Sequence, residues 1–136
     1  MMSSTRDAEL TWEGKLLFRG GAPGKPTSLL DGNSEEAPSP VVALLLAGAA
    51  CAASDTVLIL EKMRVDLTSL RVLAHGVRRD QQPRRFEKIH YIFEMAGDGL
   101  DMLKAERAVN LSVEKYCSVL ASLAPDIEVT HEIRLV

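Results

Sequence analysis

The feature that most limits what this chain can become is an unbroken apolar run, Val41 to Leu60, in which Asp55 is the only charged residue. Ser39 is a good N-cap, Pro40 fits the first helical position where no N–H is needed, and Ala and Leu dominate the residues after it. The run is also long enough to be weighed as a membrane span, since about 20 apolar residues cross a bilayer. Asp55 argues against that, because a carboxylate inside such a segment costs roughly 2.5 to 3.5 kcal/mol on insertion scales. The strand patterns after Arg64 also need a core to pack on. The expectation is therefore a helix from Ser39 to Arg64, buried on nearly all sides within a globular body or an oligomer. Cys51 lies at its middle, flanked by Ala47, Gly48, Ala49, Ala50, Ala52 and Ala53, so that another helix or a substrate can approach the backbone closely.

Composition narrows the setting. A chain of 136 residues, 46% hydrophobic and 26% charged, suits one domain over 1–136, with N-terminal strands and a linker in 1–37 and the remaining elements in 38–136. A net charge of -3 gives no general attraction to nucleic acid or to an anionic membrane. Two cysteines are too few for a secreted disulfide scaffold and no charged-then-apolar leader precedes Leu10, so a cytoplasmic protein is expected. A bridge between the two thiols would then be transient and functional.

Along the chain, Met1 to Asp7 is polar and reads as loose. Short strands broken by turn residues fill Ala8 to Gly32, and a polar linker, Asn33 to Ser39, carries Glu35 and Glu36 to the helix. Val65 to Val77 reads as a strand and Arg78 to Arg85 as a charged turn. In Phe86 to Met95, Ile89, Tyr91, Phe93 and Met95 share one face, so the two strands form a hairpin covering the helix. Asp101 to Val109 reads as a short helix. A further helix comes next, with Ser112 as N-cap, Leu111 stapled against Tyr116, and Cys117 in its first or second turn. Ile127 to Val136 alternates as a last strand.

A thiol becomes a nucleophile only as thiolate, which needs a nearby cation or a helix N-terminus and access from solvent. Cys117 has the helix-start setting and Cys51 does not. Asp55, one turn beyond Cys51, would raise that thiol's pKa. Arg19, Arg64, Arg78, Arg79, Arg84 and Arg85 are the candidate cations. With one in place, hydroperoxide attack yields a sulfenic acid, which a second thiol within reach condenses to a disulfide. Composition alone favours two inert, buried cysteines. His75, His90 and His131 lack metal-ligand spacing and read as structural or exposed, with His131 hydrogen-bonded on the apolar face of its strand. The arginines from Arg78 to Arg85 read as a solvated turn, and Trp12 and Met63 as core or interface.

Several strings shift that balance: A-P-S-P before a Cys-bearing Ala/Leu helix, the C-x-x-x-D of Cys51 and Asp55, I-L-E-K-M-R ending at Arg64, D-G-N at Asp31 to Asn33, and above all A-V-N-L-S-V-E-K-Y-C-S-V from Ala108 to Val119. Across nearly its whole length the chain resembles the OsmC/Ohr family of osmotically inducible and organic-hydroperoxide-resistance proteins, and most of all its YhfA-like branch. The resemblance implies an α+β fold with a long central Cys-bearing helix and antiparallel sheets, in an intertwined homodimer with sites at the subunit interface. It implies a peroxidatic Cys51 and a resolving Cys117, an organic hydroperoxide as substrate, an external dithiol as reductant, no cofactor or metal, and a role in oxidative-stress defence.

One departure stands out. Family members carry a glutamate one or two residues after the helix-opening proline, where it holds an arginine over the reactive thiol, whereas this chain has Val41 and Val42. Glu35 or Glu36 are the substitutes the linker offers, and Arg19 is the positional match for the arginine. Two classes of function are in view: a hydroperoxide reductase using Cys51 and Cys117, or a non-catalytic dimer that binds a small hydrophobic ligand or senses redox state.

Overall fold

Turn residues spaced along the N-terminal segment cut it into three short strands, β1 (Glu9–Trp12), β2 (Leu17–Gly21) and β3 (Ser28–Asp31), which pair antiparallel in the order β1-β2-β3. The computed structural model describes residues 4–136, so Met1 to Ser3 of the expected polar start lie outside the described residues. Asp31 is the one buried charged side chain of this segment among the described residues. Its carboxylate accepts the backbone N–H groups of Asn33 (2.8 Å), Glu35 (3.3 Å) and Glu36 (3.0 Å). Those bonds, that of Glu36 foremost, hold its pKa below the ordinary carboxylate value. Trp12, read as core or interface, is not in the core of the single chain: it is 66% exposed, with its indole N–H donating to the carbonyl of Lys15 at 2.8 Å.

The long helix α1 spans Pro40–Lys62, with Ser39 Oγ accepting the N–H of Val42 (3.3 Å) and Arg64 ending it in a left-handed conformation, φ 61°. Gly48, Ala49, Ala52, Thr56 and Leu60 form its buried stripe. Val42, Leu44, Leu46 and Leu58 are exposed. The expectation of burial on nearly all sides is therefore not met within one chain. By length and composition α1 could cross a membrane, with a mean hydropathy of 2.0, and only 22% of that window is buried.

The backbone resolves into two compact units, one ending at Leu44 and the other Leu45–Val136, so the division falls inside α1 and not in the linker before it. In the second unit β4 (Asp66–Arg78) and β5 (Phe86–Asp98) form the expected hairpin, and β6 (Glu128–Leu135) completes a sheet in the order β4-β5-β6. β5 is central, and Ile89, Tyr91, Phe93 and Met95 on its inner face are at most 1% exposed, the period of two seen in the sequence. β6 runs parallel to β5, so this sheet is mixed. A parallel neighbour requires a crossover connection. That crossover consists of α2 (Met102–Leu111), a π-helical turn (Ser112–Tyr116) and α3 (Ser118–Ala121).

The hairpin tip is stitched by its own arginines. Arg78 Nε donates to Arg84 O (2.7 Å), Arg79 Nε to Pro83 O (2.7 Å) and Arg84 Nε to Arg79 O (3.3 Å), while Arg85 forks onto Asp126 at 2.8 and 3.2 Å. His131 bonds Asn110 Oδ1 at 2.7 Å and meets the Phe93 ring edge-on.

Candidate active site: two thiols under the crossover

Cys51 sits on α1 between the fully buried Ala52 and the stripe residue Gly48, and is itself half-buried. Gly48 faces Tyr91 of β5 and Leu120 of α3 at close range. A Cβ built there would collide with the hydroxyl of Tyr91 and come within 3.1 Å of Leu120 Cδ2. Only glycine leaves room for both. Tyr91 is fully buried, and its hydroxyl donates to the carbonyl of Leu45 at 3.2 Å. A phenol in a buried row needs such a partner.

Cys117 arrives from the other side. Asp101 caps α2 by accepting the N–H of Lys104 at 2.8 Å, and the chain stays helical past Ser112, which is not an N-cap. Ser112 is fully buried and turns its hydroxyl back to Ala108 O at 2.7 Å. The hydroxyl of Thr56, in the buried stripe of α1, lies 2.9 Å from Ala52 O and 3.0 Å from Ser112 Oγ, tying crossover to helix. The wider π turn then closes with Cys117 N–H on Ser112 O (2.8 Å), and Tyr116 is half exposed instead of stapled to Leu111. Cys117 leaves the helix with φ -72° and ψ 102° and is itself the N-cap of α3, its sulfur accepting the N–H of Leu120 at 3.5 Å. Its thiol, 3% exposed, points at the carbonyl of Gly48, 3.9 Å away.

Burial pushes the Cys117 thiol up to about 11 against the weaker pull of the Leu120 N–H, and the nearness of Cys51 pushes the same way. Burial likewise raises Tyr91 to about 12, with the Cys117 charge adding to it. The helix-start setting that the sequence suggested as activating Cys117 is thus outweighed by its burial. At pH 7 a thiol near 11 is thiolate in on the order of one molecule in ten thousand. Cys51 is the more exposed residue of the two, and Cys117 is buried.

Five of the six candidate cations have partners of their own among the described residues. Arg19 pairs with Glu13 (2.8 Å) and bonds Thr27, four others bind the hairpin tip or Asp126, and Arg64 lies thirteen residues past Cys51, about 20 Å along a helix axis. Asp55 Oδ2 is buried without a hydrogen-bond partner among the described residues. Glu35 and Glu36 are exposed, and their backbones are taken up by Asp31. Sequence reasoning named Gly48 as one of the small residues that let the backbone be approached closely, but missed Tyr91 as the group that comes close there. The signal available was a phenol at the middle of a row otherwise made of Ile, Phe and Met.

Two cavities flank the crossover. One, of about 300 Å³, opens onto Cys117 between Val113, Leu120, Ala121 and Val129. The other, of about 730 Å³, lies between Ile59, Met63, Leu103, Arg107 and Leu111 and reaches neither cysteine.

Three strands, a long Cys-bearing helix, a hairpin, and a crossover that brings a second cysteine under a parallel strand together define an α+β protein of the OsmC type. Comparison with known proteins agrees: the family model described as "OsmC-like protein" matches residues 32–132, and the chain belongs to the OsmC-like family. It is 38% identical over 130 residues to the protein YhfA of Escherichia coli K12, covering 95% of this chain and 97% of that one. Among solved structures it resembles an OsmC-like protein from Mycoplasma pneumoniae, with a TM-score of 0.83 at 15% identity, covering 99% of each chain. An organic hydroperoxide resistance protein from Legionella pneumophila shares the fold at a TM-score of 0.66 and 16% identity, covering 98% of this chain and 99% of that one.

Proposed function

We propose that this protein is a thiol-dependent hydroperoxide reductase in which Cys51 takes the peroxide oxygen and Cys117 resolves the product. The observation that carries this reading is that the buried thiol of Cys117 points at the carbonyl of Gly48, 3.9 Å away and three residues before the half-buried free thiol of Cys51 on α1. The Cys51 thiolate attacks the terminal oxygen of an organic hydroperoxide, the O–O bond breaks, and the alkoxide takes a proton to leave as alcohol. The sulfur of Cys117 then attacks the sulfenic acid of Cys51. An S–S bond forms, the S–O bond breaks, and the hydroxide leaves as water with the proton of Cys117. Retaining that proton on Cys117 keeps it from competing for peroxide and supplies it where water must depart. An external dithiol returns the pair to the reduced state, in a cytoplasmic setting of oxidative-stress defence.

The working form is a homodimer. The support is the uncovered apolar side of α1, where Val42, Leu44, Leu46 and Leu58 face solvent in a single chain. A second reading, an OsmC-like dimer that binds a small hydrophobic ligand or senses redox state without turnover, draws its support from Val41 and Val42, which give no carboxylate to hold an arginine over Cys51.

The test is to add an organic hydroperoxide to the reduced protein and follow intact mass, with Cys51→Ser and Cys117→Ser alongside. Loss of two hydrogens in the parent protein, a sulfenic acid in Cys117→Ser and no reaction in Cys51→Ser are expected. Thiols unchanged under excess oxidant would favour the second reading.

A further inference from the structure

We propose that the groove of about 730 Å³ between α1 and α2 is a binding site for a fatty carboxylate, a single hydrocarbon chain with one anionic head. The site is separate from the thiol chemistry above, since neither cysteine lines it. A cavity of this size suits a small molecule, and such pockets join apolar walls to a few placed polar groups.

One face of each helix makes the groove. Ile59 and Met63, a helical turn apart at the end of α1, stand on one wall, and Leu103 and Leu111, two turns apart on α2, stand on the other. The two helices are tied at one end, where the hydroxyl of Thr56 meets that of Ser112. Towards the other end the apolar wall is open. Leu103 is 77% exposed, more than any other large hydrophobic residue among those described, although it lies on a helix with a buried side of its own.

The polar part of the lining is unbalanced. It holds Lys62, Lys104 and Arg107 against the single carboxylate of Glu106. Lys104 Nζ donates to Gly99 O at 3.0 Å, and none of the four makes an ion pair among the described residues. Asn110, on the same wall, accepts from His131 on its Oδ1 at 2.7 Å, which leaves its amide N–H groups as further donors. An excess of two positive charges beside apolar walls complements a molecule that is anionic at one end and hydrocarbon along the rest. The planar guanidinium of Arg107 can take a carboxylate with two parallel hydrogen bonds. Glu106, next to it in sequence and also in the lining, opposes a second negative charge, so a singly charged carboxylate fits better than a phosphate monoester. A second copy of the chain is the poorer occupant, because a two-fold contact centred on the groove would set these cations against their own counterparts.

The test is isothermal titration of the reduced protein with decanoate, decanol and decyl phosphate. Decanoate is expected to occupy one site per chain, and decanol, which keeps the tail without the charge, to bind more weakly by a factor of about ten or more. Equal affinity for these two, tighter binding of decyl phosphate, or no binding of decanoate overturns the proposal, whether or not the protein sediments with phosphatidylglycerol vesicles. Arg107→Glu should abolish the preference for decanoate over decanol, and Leu103→Asp should weaken both; a preference that survives Arg107→Glu counts against the site. Both positions are exposed, and should a variant fail to fold, the comparison in the parent protein decides. A change of oligomeric state in Leu103→Asp, read by sedimentation, would assign the groove to a second copy and overturn the proposal. No readout involves a thiol, so the peroxidase reading can fail while this site stands, and the reverse.

Discussion

The thiol of Cys117 points at the carbonyl oxygen of Gly48, 3.9 Å away and three residues ahead of Cys51 on the same helix. Gly48 thus receives the second cysteine on its carbonyl and the hydroxyl of Tyr91 against its α-carbon.

Gly48→Ala should therefore destabilise the protein although alanine is the better helix former. Propensity returns about 1 kcal/mol, while overpacking against Tyr91 costs roughly 1–3 kcal/mol, so a net loss is expected. Tyr91→Phe alone forfeits the bond to Leu45 O, about 1 kcal/mol. In the double variant the clashing oxygen is gone, and the loss should be smaller than the sum of the two. Urea unfolding of the reduced proteins reads this cycle, and simple additivity would mean that the hydroxyl does not set the helix–sheet distance.

The Thr56–Ser112 pair is predicted to behave as a unit. Thr56→Val leaves the buried Ser112 oxygen short of a donor, at a cost of about 1–2 kcal/mol, whereas Ser112→Ala takes an acceptor from the Thr56 hydroxyl, which can still donate to Ala52 O, and should cost less. Removing both should cost less than the sum, again by urea unfolding. Single variants indistinguishable from the parent protein would show that the bond adds nothing.

Stability should decline in alkali through a defined window. Cys117 and Tyr91 hold their protons up to about 11 and about 12, against ordinary values of 9.0 and 10.0. Below pH 9 the folded and unfolded chains are both protonated there, and the contribution is complete. As pH climbs, the unfolded chain sheds these protons first, so stability drains away and the contribution is gone above about 12. Melting temperatures between pH 8 and 11 should fall less steeply in Cys117→Ala than in the parent protein. Parallel curves would contradict the assignment.

Alkylation should obey the same ordering. Iodoacetamide at neutral pH is expected to label Cys51 at least tenfold faster than Cys117, read by peptide mass, because the latter is buried and almost wholly thiol. Equal labelling would refute the division of roles.

The legible parts of the fold were those with a clean period. Ile89, Tyr91, Phe93 and Met95 alternate in sequence and are buried in the structure, and the hairpin about the arginine-rich turn comes from the same pattern. Helix α1 was legible as a helix but not in its facing, because Ala, Gly and Leu occur all around it and no polar stripe marks the exposed side. The region before Cys117 misled for a different reason. Ser112 and Glu114 look like a helix start, yet Ser112 is buried beside Thr56, 56 residues away, and the helix runs through it into a π turn. That outcome belongs to tertiary packing, which no local window contains. That Cys117 would come to the stretch of α1 that carries Cys51 was not legible in any periodicity, since the two cysteines lie 66 residues apart.

The parallel pairing of β6 with β5 has a consequence for the order of folding. Cys117 lies on the connection between these strands, so that connection is anchored at both ends only when β6 has paired beside β5. A chain whose last strand is still loose can keep its two sulfurs apart, and the strand that closes the sheet also settles the place of the second cysteine.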